Sequence, residues 1–281
     1  MRIVVTGGSG NVGRYVVDEL RKFGHRVTVF DKKEPKDKDV TFAKGNILEV
    51  NDCRKAFSGA QAIIHLAAIV SPLSESPERT MNMNVMGTFN VHQAAADLGI
   101  QKVVHASSGA SYGFDYAKKD LLPYYLPLDE DHPQEPEDCY GLSKKIGEEI
   151  ASSFTKKYKM ITIALRICFV WFPEKVDYYR SLVKEPERWK HLLWIYNDVR
   201  DVAFVFRLAV EAKGLKHEVF LISAEDNGTE CNSVELVARF YSNRIPFKKH
   251  VEGRQSLADW SKAERLLGYK PRYCWRDIIA I

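Results

Sequence analysis

A short apolar run, Arg2-Ile3-Val4-Val5, passes directly into Thr6-Gly7-Gly8-Ser9-Gly10-Asn11-Val12-Gly13 and then into a helical pattern. No other stretch restricts the fold as sharply. Strand, glycine loop and helix in this order make a phosphate cradle. Gly7 permits a tight turn, Gly10 lets the backbone approach a pyrophosphate, and Gly13 lets the helix pack close to the strand. The unpaired amides at the helix N-terminus then face the phosphates, and the helix dipole adds attraction. The expected ligand is a dinucleotide.

The flanks agree with this reading. The helix carries an apolar stripe of Val12, Val16, Val17, Leu20 and Phe23, and a second strand, Arg26 to Phe30, ends in Asp31. An acidic residue about 20 positions beyond the loop can bond both ribose hydroxyls of NAD. It would also repel the 2′-phosphate of NADP, so NAD is the expected cofactor, although Lys32 and Lys33 follow directly.

Strand and helix patterns alternate through the first half. Strand-like runs fall at Val40 to Ala43, Ala62 to Ala67, Lys102 to Ala106 and Ile161 to Arg166. Helical stretches lie at Asn51 to Phe57, Pro77 to Leu98 and Tyr140 to Tyr158. This rhythm predicts an α/β fold with a doubly wound parallel sheet, a Rossmann domain over residues 1–166. Ligands of such sheets sit at the carboxyl ends of the strands. The rhythm breaks after Pro173. A segment around Trp189 and Trp194, a helix from about Asp198 to Lys213, a strand Glu218 to Ile222, and helices from Ser233 and Leu257 follow. These predict a small substrate-binding lobe over 167–281, with 218–222 returning to the main sheet.

Composition narrows the class. The 281 residues are 45% hydrophobic and 28% charged with a net charge of +4, ordinary for a globular chain. No basic block alternates with aromatics, so nucleic acid is not an expected partner. No apolar stretch approaches the roughly 18 residues of a membrane span. The first strand starts at Arg2, so no signal peptide is expected. Cys53, Cys139, Cys168, Cys231 and Cys274 are scattered without metal or disulfide spacing. A cytoplasmic protein with reduced thiols and no metal is expected.

Tyr140-Gly141-Leu142-Ser143-Lys144 is the second informative stretch. Residues four apart on a helix share a face, so Tyr140 and Lys144 project together. A free phenol titrates near 10 and is a poor base at neutral pH. A nearby ammonium favours the phenolate and makes proton exchange with a substrate hydroxyl feasible. The preceding strand ends in His105-Ala106-Ser107-Ser108 and should deliver Ser108 to the same crevice, where it could hold the reacting oxygen.

On these residues the chain resembles the extended short-chain dehydrogenase/reductases, the NAD-dependent epimerase/dehydratase group. Further matching stretches are Gly45-Asn46-Ile47, His65-Leu66-Ala67-Ala68, Asn84 to Thr88, Tyr112-Gly113, Leu128-Asp129-Glu130, Leu165-Arg166, Asp201-Val202-Ala203, Ser261-Lys262-Ala263 and Leu267 to Pro271. The resemblance implies Ser108, Tyr140 and Lys144 as the catalytic set. It implies cofactor contacts from Gly7, Gly10, Asn11, Val12, Gly13, Asp31, Asn46, Ile47, Leu66, Ala67, Ala68, Asn84, Ser107, Tyr140, Lys144 and Ile167. Asn46 replaces the group's usual Asp beside the adenine, and Asn84 would support the active-site helix. The group often pairs through two long helices, here Pro77 to Leu98 and Tyr140 to Tyr158, which implies a homodimer.

Departures from the group's patterns narrow the chemistry. Dehydratases carry an acidic pair just after the serine-like residue, where this chain has Gly109 and Ala110. Nucleotide-sugar epimerases carry a longer segment than Pro173 to Arg200. The short lobe is similar to that of the uronate dehydrogenases, whose pattern reappears as Leu165-Arg166-Ile167 and Phe172-Pro173-Glu174. That likeness implies substrate contacts from Ser71, Ser108, Phe169 and Arg180, the last as a carboxylate clamp. The resulting expectation is an NAD-dependent dehydrogenase of a small sugar or sugar acid, with Tyr140 as general base. The alternatives are a UDP-sugar 4-epimerase with tightly held NAD and a non-catalytic NAD(P)-sensing protein.

Overall fold

The computed structural model describes residues 1–118, 121–241 and 245–279. Seven parallel strands form one sheet in the order β3-β2-β1-β4-β5-β6-β9. These are β1 (Arg2–Thr6), β2 (Arg26–Asp31), β3 (Thr41–Lys44), β4 (Ala62–His65), β5 (Lys102–Ser108), β6 (Ile161–Ile167) and β9 (His217–Ile222). The order reverses direction at β1, between β2 and β4. Such a switch point splays the loops above the strand ends and opens a crevice there.

Both faces of the sheet are covered, which is why its strands read as near-continuous apolar runs. On one face, Val16, Val17 and Leu20 of α1 (Asn11–Lys22) and Val202, Val205 and Phe206 of α7 (Val199–Glu211) close a core over Ile3, Val5 and Ile64. On the other, α2 (Val50–Phe57), α4 (Gly87–Asp97) and α5 (Cys139–Tyr158) bury Phe57, Val91 and Phe154 against Val4, Ile63 and Val103. The strand expected at 218–222 pairs in parallel register with β6, as Thr162 opposite His217 through Ile167 opposite Ile222. The boundary expected after Arg166 therefore falls inside β6, and α7 and β9 beyond it belong to the sheet's own layers.

A third core lies under the C-terminal part. Trp171, Trp189 and Trp194 are buried there, and Trp171 stacks on Tyr179 with ring centroids 4.3 Å apart. It is built from two short parallel strands, β7 (Phe169–Trp171) and β8 (Tyr196–Asp198), with α6 (Val176–Lys184) and a 3₁₀ segment, Pro186–Leu192, between them. The sequence reading did not anticipate β7, β8 or α6.

Three expected elements end differently. β4 stops at His65; the Leu66 amide makes the last bond to β1, donating to the Thr6 carbonyl at 3.0 Å, and the chain then turns along the crevice. The helix expected over Pro77 to Leu98 is interrupted by a π turn, Asn82–Met86, between α3 (Pro77–Met81) and α4. The helix expected from Ser233 is α8 (Ser233–Phe240), and the one expected from Leu257 starts at Ser261 as α9 (Ser261–Leu267). Leu257 and Asp259 are instead drawn into an extended ladder with Leu128, with bonds of 2.7 Å on either side. No helix among the described residues is long and apolar enough to cross a membrane.

Candidate active site

A crevice of about 840 Å³ runs along the carboxyl ends of the strands. Its first third is the glycine loop. Gly7 has φ +72°, and a Cβ there would sit 2.6 Å from the Ala67 amide nitrogen. A Cβ on Gly13 would fall 2.2 Å from the Gly7 carbonyl oxygen, so α1 can approach the turn only without a side chain at this point. Gly10 is the N-cap of α1 and makes no side-chain cap, which leaves the first amides of the helix facing the crevice with Asn11 and Val12. Asp31 closes this end at the tip of β2. Its carboxylate accepts from the Ser9 amide at 3.2 Å and the Lys33 amide at 3.1 Å. Phe30, Gly45 and Ile47 line the pocket beside it.

Some expected cofactor contacts act from behind the wall. Asn46 does not line the crevice; its side-chain oxygen accepts from the Leu48 amide at 3.2 Å and shapes the turn. Leu66, Ala67 and Ala68 do line the crevice. Asn84 sits on the π turn with its side chain buried. It accepts from the Ile69 amide at 2.8 Å and donates to the Ile69 carbonyl at 2.9 Å and the Ser143 hydroxyl at 3.0 Å. It thereby ties the loop after β4 to α5. The π turn is what rotates this residue inward, a common use of such bulges.

Ser108, Tyr140 and Lys144 converge at the middle of the crevice, with Ile167 beside them. Asp138 caps α5, accepting from the Tyr140 and Gly141 amides at 2.9 Å each, and so sets where Tyr140 emerges. Ser108 shares a side-chain hydrogen bond with Tyr140. Lys144 is buried and donates to the Ala106 carbonyl at 2.8 Å, with its Nζ 5.6 Å from the centroid of the Tyr140 ring. Burial depresses its ammonium to about 8, against a smaller opposing pull from Glu148. The expectation that Lys144 lowers the phenol is corrected here. Burial pushes the Tyr140 phenol above its ordinary value, and the bond to Ser108 only partly offsets this.

Ser107 lines the crevice, yet its hydroxyl points away and donates to Glu148 at 2.5 Å. Glu148 also receives two bonds from Arg166, at 2.9 and 2.8 Å, and one from Gln134 at 3.1 Å. The Arg166 guanidinium in turn donates to the Tyr112 hydroxyl and the Glu130 carbonyl, both at 3.0 Å. This buried network underlies the end of β5 and was missed from sequence. Glu148 stands four residues after Lys144 on one helix face, and that spacing was the available signal.

The substrate end departs most from expectation. Phe169 lines the crevice, but Arg180 does not. Arg180 lies on the outer face of α6, where it donates to Asp177 at 3.1 Å and to the Ile279 carbonyl at 2.7 Å. The inward face of that helix is taken by Tyr179, Leu182 and Val183. The arginine in the lining is Arg188, on the 3₁₀ segment together with Trp189, His191 and Leu192; its guanidinium is exposed, donates to the Ser181 hydroxyl at 3.2 Å and pairs with Glu185 at 3.6 Å. Ser71 is also outside the lining, and its hydroxyl bonds Tyr116 instead. Tyr116 and Asp115, neither anticipated, are in the lining. No spacing in the sequence marked them. Among the described residues no cluster of His, Cys, Asp or Glu is arranged to hold a metal.

A dinucleotide cradle leading to a Ser, Tyr and Lys group defines an α/β nucleotide-dependent enzyme. The chain belongs to the NAD-dependent epimerase/dehydratase family, whose profile matches residues 3–179. A putative UDP-glucose 4-epimerase from Methanocaldococcus jannaschii is 33% identical over 178 residues, 60% of this chain and 56% of that protein. A uronate dehydrogenase from Pseudomonas syringae pv. tomato is 28% identical over 174 residues, 59% of this chain and 58% of that one. The match thus spans just over half the length of either relative. An L-arabinose 1-dehydrogenase (NAD(P)+) from Haloferax volcanii is 29% identical over 236 residues, 80% of this chain and 89% of that one. In fold, the chain is similar to a short-chain dehydrogenase/reductase superfamily protein from Agrobacterium tumefaciens with bound NAD. The TM-score is 0.77 at 22% identity, covering 100% of this chain and 95% of that one. NAD is the family's cofactor, and the crevice fits it: a loop that a Cβ would obstruct, helix amides without a side-chain cap, and a carboxylate, Asp31, in the lining at the tip of β2.

Proposed function

We propose that the chain oxidises a sugar hydroxyl with NAD, and that the reaction is dehydrogenation of a small sugar or sugar acid. The observation that carries this reading is the meeting of Ser108, Tyr140 and Lys144 at one point of the crevice, with Ser108 bonded to Tyr140. NAD, when bound, supplies the hydride acceptor. Ser108 holds the substrate oxygen, and Tyr140 takes the hydroxyl proton. Burial holds the Tyr140 phenol in its protonated form, so Tyr140 takes that proton only as the phenolate, after its own proton has passed to solvent. Lys144, pinned to the Ala106 carbonyl, contributes charge beside the ring and a donor toward the nicotinamide ribose. Gln134, Arg166 and Ser107 keep the Glu148 carboxylate satisfied beneath them.

Water elimination is disfavoured sterically. A side chain at position 109 would start 3.1 Å from the Cys168 sulfur, so the acid that elimination needs there fits only if Cys168 shifts. A small substrate is favoured because Phe169, Trp189 and Leu192 line the crevice with bulky apolar side chains. The test is a panel of free aldoses and uronates with NAD and NADP, read as reduced cofactor. Steady NADH formation with one of them supports the reading, and its absence from all of them defeats it. The Tyr140→Phe protein should lose about 10²–10⁴ in rate while still binding NAD. Unchanged behaviour would favour a cofactor-sensing role instead.

Arg188 in the lining favours a second reading, a UDP-sugar 4-epimerase, since a guanidinium can grip a diphosphate in bidentate fashion. Conversion of UDP-galactose to UDP-glucose without net NADH would establish it. For the homodimer, exposed Met86 and Phe89 beside α4 and Leu142 on α5 offer apolar surface. Sedimentation of the purified chain as a monomer at micromolar concentration would end that proposal.

A further inference from the structure

Asp115 is the crevice's unassigned carboxylate. It borders both the main crevice and a side cavity of about 20 Å³ that continues from it beside Cys168, Phe169 and His191. Its carboxylate takes a hydrogen bond from its own amide, and among the described residues no cation and no other donor reaches it. Burial, with Asp138 nearby, pushes the carboxyl up to about 7.

The segment that carries Asp115 is held firmly. The 3₁₀ turn Gly109–Tyr112 is closed by the Gly113 amide donating to Ala110 at 3.1 Å. Gly113 has φ +104°, and a Cβ on it would lie 2.4 Å from the Glu135 carbonyl oxygen. On the other side, Tyr116 is bonded to Ser71 and set edge-on to Tyr140, with ring centroids 6.2 Å apart. The backbone around Asp115 is therefore fixed relative to Tyr140. A half-buried carboxylate that lines the crevice without a paired donor is placed to accept a hydrogen bond from a ligand.

We propose that Asp115 is a specificity-determining residue that accepts a hydrogen bond from a second hydroxyl of the substrate while Ser108 and Tyr140 hold the reacting one. The substrate class is thereby a polyol or sugar with at least two hydroxyls, and not a simple secondary alcohol. This rests on the proposed sugar-oxidising function for the identity of the ligand, but its readout is separable.

The experiment compares wild type with Asp115→Asn and Asp115→Ala, using the best aldose of the panel and its set of monodeoxy analogues. Affinity for the NAD-loaded protein is measured by calorimetry, which needs no turnover, and kcat/KM is measured where NADH forms. NAD affinity serves as the folding control and should be the same in all three proteins. Each variant is expected to bind the parent sugar roughly 10- to 100-fold more weakly. One deoxy analogue should suffer the same loss on wild type and little further loss on Asp115→Ala. That non-additive pair identifies the hydroxyl. Additive losses for every analogue, unchanged affinity in the variants, or no aldose bound by wild type would overturn the inference. Binding with this pattern but without NADH would leave Asp115 as assigned and defeat the dehydrogenase reading alone.

Discussion

Glu148 on α5 and Arg166 on β6 form a two-bond ion pair, at 2.9 and 2.8 Å, with side chains 7% and 5% exposed. The pair fixes α5 to the strand beside β5, and Ser107 hangs from the same carboxylate. The positions of Ser108 and Lys144 thus depend on a contact outside the crevice.

Removing one partner strands the other charge. Glu148→Gln should destabilise the fold by about 3–5 kcal/mol, because the Arg166 charge stays buried without its counter-ion. Replacing both with Met should cost clearly less. Urea unfolding of the three proteins checks this. A loss below about 1 kcal/mol for Glu148→Gln would mean that water reaches the network.

Gly13→Ala should weaken NAD binding more than tenfold. The new methyl would collide with the Gly7 carbonyl, forcing α1 away from the turn whose amides face the phosphates. The strain should also cost about 1–3 kcal/mol of stability. Fluorescence titration with NAD and thermal unfolding measure the two effects separately.

Asp31→Ser should relax cofactor choice. It removes the carboxylate that opposes a 2′-phosphate and leaves Lys32 in the lining. The ratio of kcat/KM for NADP over NAD should rise by roughly 10- to 100-fold, the range of one charge-assisted contact. A ratio unchanged by the substitution would place cofactor selection elsewhere.

Asp115 gives the fold a pH dependence of definite sign. Its carboxyl is raised from 3.8 to about 7, so the folded state holds the proton more tightly between those values. Stability from this group is therefore intact below about pH 4 and falls as pH rises toward 7. Asp115→Asn should raise Tm by roughly 2–5 °C at pH 8 and by little at pH 4. Thermal melts at the two pH values decide it, and an equal effect at both would contradict the raised carboxyl.

Much of the site was legible because its signals are local. The glycine loop must be glycine where backbone crowds backbone, and Asp31 must end the next strand. Tyr140 and Lys144 announce their shared face by spacing alone. Arg180 was misplaced for the converse reason. The sequence shows a cation in the right region, but which helical face turns inward depends on the packing of Tyr179 and Leu182 against Trp171 and Trp189. The arginine that borders the crevice is eight residues later, in a 3₁₀ segment with no periodic signature.

The sequence by itself determined the parallel sheet, the cradle and the shared face of Tyr140 and Lys144, since each follows from backbone sterics or from periodicity within one element. Tertiary structure alone decided the electrostatics and the substrate end. Burial, not the neighbouring ammonium, sets the Tyr140 phenol, and burial is a property of everything packed around a residue. Asp115 and the Arg188–His191 pair come from separate segments and line one space only because the packed cores hold those segments in place.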